Sequence, residues 1–142
     1  MVDETYQSDN IFAIIMAGDI PCHKVYEDTD TLVFMDILPA SRGHCLVIPK
    51  SPSRNLLDID GPALNTTILI VQKIAKAAMK ALNADGVTIR QNNEAAGGQE
   101  VFHTHFHIMP RYHGEPLRAH DGSEPNHAEL SALAQQINAA IE

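Results

Sequence analysis

Three things are scarce in this sequence: cysteine, positive charge and long apolar runs. Cys22 and Cys45 are its only thiols and stand far apart, a usage that excludes a disulfide scaffold and fits a reducing compartment. Ten lysines and arginines face 18 aspartates and glutamates, for a formal net charge of -8. Non-specific nucleic-acid binding needs a cationic face to release counterions and is therefore excluded. A nucleotide substrate is not excluded, because one small pocket can be cationic on an acidic protein. No apolar run approaches the ~18 residues of a membrane span, and the start, Met1-Val2-Asp3-Glu4, is acidic where a signal peptide would be basic. The expectation is a soluble, cytoplasmic protein with no membrane partner.

What is present is an ordinary globular composition, 44% hydrophobic and 20% charged over 142 residues, which excludes wholesale disorder and suits one domain, 1–142. The first ten residues are polar and read as loose. Ile11, Phe12, Ile14 and Ile15, closed by Gly18 and Pro21, read as a brief helix and a turn. Val25–Glu27 and Thr31–Asp36 flank the turn-like Asp28-Thr29-Asp30 and read as a hairpin. His44–Pro49 reads as a third strand, Val87–Gln91 as a fourth and Val101–Arg111 as a fifth. Between the third and fourth, Leu64, Ile68, Val71, Ala75, Ala78 and Leu82 recur at helical spacing from about Pro62, started by Asp60 and ended by Asp85-Gly86. With one face on the sheet, little apolar stripe is expected to remain on this helix. After a polar loop from His113 to Asn126, Leu130, Leu133, Ile137 and Ile141 make a C-terminal helix. The order predicts an α+β fold: an antiparallel sheet of about five strands with one long helix and a C-terminal helix.

The chemistry concentrates in Gly97-Gly98-Gln99-Glu100-Val101-Phe102-His103-Thr104-His105-Phe106-His107-Ile108-Met109-Pro110-Arg111. On a strand the side-chain period is two, so His103, His105 and His107 share one face and Phe106 and Ile108 the other. The apolar face can pack on the long helix, which turns the imidazoles toward a cleft. Aligned imidazoles suit two chemistries: metal binding, as in zinc sites, or nucleophilic and acid–base work on phosphorus, for which a neutral imidazole is competent at pH 7. No carboxylate or thiolate evidently completes a metal set. The Gly97-Gly98 loop favours phosphate, since small residues let backbone N–H groups approach an anion.

These residues resemble the histidine-triad (HIT) superfamily of nucleotide hydrolases and transferases, whose His-x-His-x-His motif stands here as His103-Thr104-His105-Phe106-His107. The resemblance runs from about Asn10 to Arg111 (a domain core of about 10–111, with 112–142 as C-terminal loop and helix). It includes Gly18-Asp19-Ile20-Pro21, Phe34-Met35-Asp36-Ile37 and Gly43–Lys50, and its ending, Met109-Pro110-Arg111, is nearest the bacterial branch. It implies a HIT-like fold and catalytic residues His105, His103, His107 and His44. By the resemblance His105 is the nucleophile, attacking the α-phosphate of a dinucleoside polyphosphate or AMP phosphoramidate to give a nucleotidyl-histidine that water hydrolyses. His103 and His107 would orient it and bind phosphate oxygens, with His44 behind them. Nucleotide binding falls to Asp36 for the ribose hydroxyls, to Ile11, Phe12, Ile15, Phe34 and Ile37 for the base, and to Asn92, Gly98 and Gln99 near the phosphates. The resemblance also implies a homodimer and a small-molecule nucleotide substrate, with no cofactor.

Two departures from the family pattern matter. Many bacterial relatives carry Cys-x-x-Cys as half of a structural zinc site; here those positions read Asn10-Ile11-Phe12-Ala13, and Ser53 stands where another histidine often follows. No metal is therefore expected. Glu100 replaces a Ser or Thr near phosphate and would repel it unless it points away. Two other functions compete: a nucleotide-binding sensor or partner module with little turnover, which needs no working nucleophile, and a small metal-dependent β-barrel enzyme, which the long helix opposes.

Overall fold

The computed structural model describes residues 6–142; the acidic start at Met1–Glu4 lies outside them. The elements are α1 (Ile11–Met16), β1 (Lys24–Glu27), β2 (Thr31–Met35), β3 (Cys45–Pro49), α2 (Gly61–Leu82), β4 (Gly86–Arg90), a short 3-10 turn (Ala95–Gly97), β5 (Phe106–Arg111) and α3 (His127–Ala139). Five antiparallel strands form one sheet in the order β1-β2-β3-β5-β4. This is the expected α+β architecture. No helix among the described residues is long and apolar enough to cross a membrane.

Local chemistry sets the corners. Asp28 Oδ1 accepts the backbone N–H groups of Asp30 and Thr31, an Asx turn that closes the β1–β2 hairpin. Asn10 caps α1 by accepting from Ala13 N, and Asp60 caps α2 in the same way. Residues expected to be loose before α1 are held: Tyr6 and Asn10 both make side-chain hydrogen bonds. The long helix ends at Leu82, where its apolar period ends and ahead of Asp85-Gly86; Asn83 follows with a left-handed backbone (φ 50°), and its N–H donates to Met79's carbonyl. Asn tolerates that conformation, and Gly86 opens β4 instead.

Both faces of the central strands are covered, which is why Leu32–Met35 and Cys45–Ile48 read as near-continuous apolar runs. On one face Val33, Met35, Cys45, Val47, Phe106 and Ile108 pack under α2 and α3. On the other, Leu32, Phe34, Leu46 and Ile48 pack with Phe12 of α1. The stripe that α2 buries is Thr67, Ile70, Val71, Ile74, Ala77, Ala78 and Leu82, rotated from the one expected. Ile68 is 43% exposed and Leu69 56%, so apolar surface does remain on the helix, contrary to expectation. Ambiguity between adjacent apolar positions in Thr67–Val71 explains the error: five residues there can begin a stripe, and only packing chooses.

The fifth strand is shorter than its sequence suggests. Pairing begins only at Phe106, which meets Val47, while the other neighbour, β4, ends at Arg90 opposite His107. Among the described residues, 101–105 make no strand ladder and bond instead to the end of β3 and the loop after it. Thr104 N donates to Ser53 O, and the Ser53 and Thr104 hydroxyls lie 2.6 Å apart. His103 and His105 precede the strand; only His107 is in it.

Candidate active site

The sheet face away from α2 and α3 carries a cavity of about 500 Å³, a size that holds a small organic ligand. One kind of wall is apolar: Ile11, Phe12 and Ile15 from α1, Phe34 from β2 and Ile37 beyond it. The other is polar: Asp36, His44, Arg90, Asn92, Gly98, Glu100, His105 and His107. His44 is delivered to it by Gly43, whose φ of +92° and close approach to Leu82 and Pro110 leave no room for a Cβ. Although the strand starts late, alternation survives in side-chain direction: Phe106 and Ile108 enter the helix-covered core, while His105 and His107 face the cavity with ring centroids 5.1 Å apart.

Hydrogen bonds assign every proton in the cluster. The Ala40 amide donates to His44 Nδ1 at 3.0 Å, so the neutral ring carries its proton on Nε2. That Nε2 lies 2.9 Å from His107 Nδ1 and 3.4 Å from an Asp36 carboxylate oxygen. His107 Nδ1 accepts, which leaves His107 Nε2 as an N–H donor. His105 Nδ1 sits 2.6 Å from the His103 carbonyl; a carbonyl only accepts, so Nδ1 donates and Nε2 keeps the lone pair. By the same reasoning His103 Nε2 donates to the Pro49 carbonyl at 2.7 Å, and its Nδ1 accepts from the Tyr6 hydroxyl at 2.6 Å. The cavity thus holds one imidazole with a bare lone pair beside one with an N–H.

Burial keeps the rings neutral. Desolvation lowers the pKa of His105 below the usual histidine value, only partly opposed by its bond to the His103 carbonyl. Desolvation, with repulsion from His107 and Arg90, takes His44 to about 3. His107 falls to about 4 through desolvation and the charges of His105 and Arg90. His103 reaches about 4, again mainly by desolvation. Asp36 moves the other way: burial raises its carboxyl pKa, Glu100 adds to this, and the Leu38 amide opposes it.

Three expected site residues are placed differently. His103 is fully buried with both ring nitrogens occupied, so neither is free for a ligand, and its carbonyl accepts from His105 Nδ1. The Gln99 side chain is buried and saturated: its oxygen accepts from Asn55 Nδ2 and Glu94 N, and its nitrogen donates to the Arg54 and Val101 carbonyls. It builds the loop rather than contacting a ligand. The backbone N–H groups of Gly97, Gly98 and Gln99 are likewise taken, by the Glu94 and Ala95 carbonyls, so they do not form the anion cradle expected of the glycine loop. In their place the structure brings Arg90, opposite His107 in the β4–β5 register, and an exposed His120 from the C-terminal loop. Glu100 does line the cavity.

The geometry supplies the carboxylate that sequence reading missed in a metal set, since ligand atoms of Asp36, His44 and His107 lie within 4.8 Å of one another. The protons do not fit a metal. Ala40 occupies His44 Nδ1, so His44 Nε2 bears hydrogen and has no lone pair to offer. The other metal pattern fits no better: at the positions where a cysteine pair and a further histidine would stand, Asn10, Ala13 and Ser53 offer no thiolate or imidazole. Protein purified without added metal is expected to hold well below one zinc per chain by elemental analysis. A stoichiometric zinc that survives dialysis would refute this.

Comparison with known proteins identifies the family and the fold. The HIT domain profile matches residues 17–114. The structure of a Hit-like protein involved in cell-cycle regulation from Bartonella henselae superposes with a TM-score of 0.92 at 49% identity, covering 96% of this chain and 98% of that one. The adenylylsulfatase HINT3 of Arabidopsis thaliana is 35% identical over 96% of this chain and 70% of its own length. The adenosine 5'-monophosphoramidase hnt1 of Schizosaccharomyces pombe is 35% identical over 92% and 97%. With the triad, the cavity and these matches in agreement, the chain belongs to the HIT family.

Proposed function

We propose that this protein is a hydrolase of adenosine-type nucleotides in which His105 Nε2 attacks the α-phosphate and water then cleaves the nucleotidyl-histidine. The observation that carries the reading is the pairing of a bare His105 lone pair with a His107 N–H in one cavity. In the first step the N–P bond forms as the bond to the leaving group breaks, and His107 Nε2–H is placed to donate to that group or to a phosphoryl oxygen. Asp36 accepts the ribose hydroxyls, and the Phe12, Ile15 and Phe34 wall takes the base. Two relatives named as acting on adenylyl sulfate and AMP phosphoramidate support substrates in which AMP is joined to a leaving group. A panel of diadenosine polyphosphates, AMP amides and adenylyl sulfate, with and without chelator, tests it. Hydrolysis unaffected by chelator is expected. Nucleotide binding without turnover would favour a sensor or partner module instead.

We propose in addition that two copies pair through α2 and the free edge of β4. Leu57, Leu69, Ile68 and Ile89 are 75%, 56%, 43% and 41% exposed, and β4 ends the sheet with its outer backbone groups unpaired in the strand order. Light scattering at micromolar concentration is expected to give a dimer, and Leu69→Asp a monomer. A monomeric wild type would refute the pairing.

A further inference from the structure

We infer that Tyr6 is a positioning residue for the triad, its hydroxyl holding the His103 ring so that the His103 carbonyl in turn holds His105. Tyr6 does not line the cavity and lies 97 positions from His103, yet its oxygen is 2.6 Å from His103 Nδ1. The direction of this bond follows from its neighbours. His103 Nε2 donates to the Pro49 carbonyl, so Nδ1 has only a lone pair, and Asn10 Nδ2 donates to the Tyr6 oxygen at 3.0 Å. The phenolic proton therefore goes to His103. Each link has a single consistent arrangement, running from Asn10 through Tyr6 to the His103 ring and then, through that residue's own carbonyl, to His105 Nδ1.

Two consequences follow. First, the His103 ring has 0% exposure, so without Tyr6 its Nδ1 would be a buried acceptor with no partner. Relief would come from rotation of the ring, which moves the carbonyl on which His105 rests, or from uptake of a proton. Second, by donating to Nδ1 the hydroxyl stabilises the neutral ring. Among the described residues the titratable groups against this ring are Tyr6 and His105; β3 presents the Pro49 carbonyl and α1 the Phe12 ring, neither charged. A proton on His103 would place a cation beside the nucleophile and weaken its attack. Asn10 joins this network to the cavity wall, because the same side chain caps α1, which carries Ile11, Phe12 and Ile15.

The test is Tyr6→Phe in the full chain, and its kinetic arm rests on the hydrolase reading above. With an AMP amide as substrate, kcat is expected to fall roughly tenfold, since a small displacement of a reacting group is enough for that, while KM stays within about twofold. The acid limb of the kcat profile should move upward in pH. In nitrogen-detected NMR the His103 titration should move up toward the ordinary histidine range in the variant, with His44 unaffected. Unchanged kcat and pH profile, a rise in KM alone, or a His103 titration that does not move would each overturn the inference. The NMR arm also stands alone. If wild type hydrolyses nothing, the hydrolase reading fails, yet a shifted His103 titration would still support the Tyr6 link. Wild-type His103 titrating freely near the ordinary value would overturn that link whatever the variant does.

Discussion

His105→Ala is expected to fold, to keep binding AMP, and to hydrolyse nucleotides at least roughly 10³-fold more slowly, because removing a nucleophile disables the unit it works in. The fold should tolerate the change: His105 is buried against Phe12, with ring centroids 4.9 Å apart, but its one hydrogen bond among the described residues is to the His103 carbonyl. The walls for base and ribose come from other elements, so nucleotide affinity should survive. Trapping with labelled substrate separates this loss from a binding defect. Wild type should yield an acid-labile, comparatively base-stable adduct that maps to His105, and the variant none. His103→Ala and His44→Ala should lose less, since the His103 ring bonds Tyr6 and the Pro49 carbonyl and the His44 ring bonds Ala40 and His107 rather than the reacting atoms. Near-normal hydrolysis by His105→Ala, or a label on another residue, would refute the mechanism.

The neutral state of His105 also makes this assignment sensitive to pH in one direction. Its pKa lies below the ordinary histidine value because burial disfavours the imidazolium, so the lone pair is available throughout the neutral range. Activity should therefore be level from pH 8 down through 6.5 and decline only at lower pH. An exposed imidazole would lose half its nucleophile near 6.5.

Part of this site was legible in the residues alone. Alternation in His103–Ile108 turned His105 and His107 toward the cavity, because Phe106 and Ile108 are anchored in the core, but it failed for His103, which precedes the strand and is fully buried. The strand's true start was not legible: it depends on where β3 and β4 end beside it, which is a fact about partners. Asp36 was reached through resemblance, and nothing in its local sequence announces a buried carboxylate beside His44. Gln99 illustrates the opposite failure. It too was reached through resemblance, which implied a position near the phosphates, but four internal hydrogen bonds consume its amide. Arg90 and Tyr6 carried no local signal. One reaches the cavity through strand register, the other through a hydrogen bond across most of the chain. Likewise α2 was evident from its caps and apolar period, but which of its neighbouring apolar residues face the sheet was decided by packing.

The same histidines that make the site should make the protein acid-labile well above the carboxylate range. His44, His103 and His107 are neutral in the fold, with pKa values of about 3, 4 and 4, against about 6.5 for an unfolded chain. Above pH 6.5 both states hold them neutral, and their contribution to stability is fully present. As pH falls below 6.5 the unfolded chain takes up protons that the folded chain refuses, so unfolding is favoured by up to about 1.4 kcal/mol per pH unit for each ring. Three rings acting together approach about 4 kcal/mol per unit, against a total stability on the order of 5–15 kcal/mol for a domain. Asp36 works in the other direction, because its raised pKa lets the folded state bind that proton first. It is a single group set against three. Urea titrations at pH 7, 6 and 5 should therefore show the midpoint dropping steeply between 7 and 5, with roughly 5 kcal/mol lost by pH 5. His44→Asn, which keeps an acceptor for Ala40 but cannot be protonated, should flatten the dependence by about one third. A midpoint unchanged from pH 7 to pH 5 would mean that these rings are not held neutral by the fold, and the proton assignment on which the nucleophile rests would go with it.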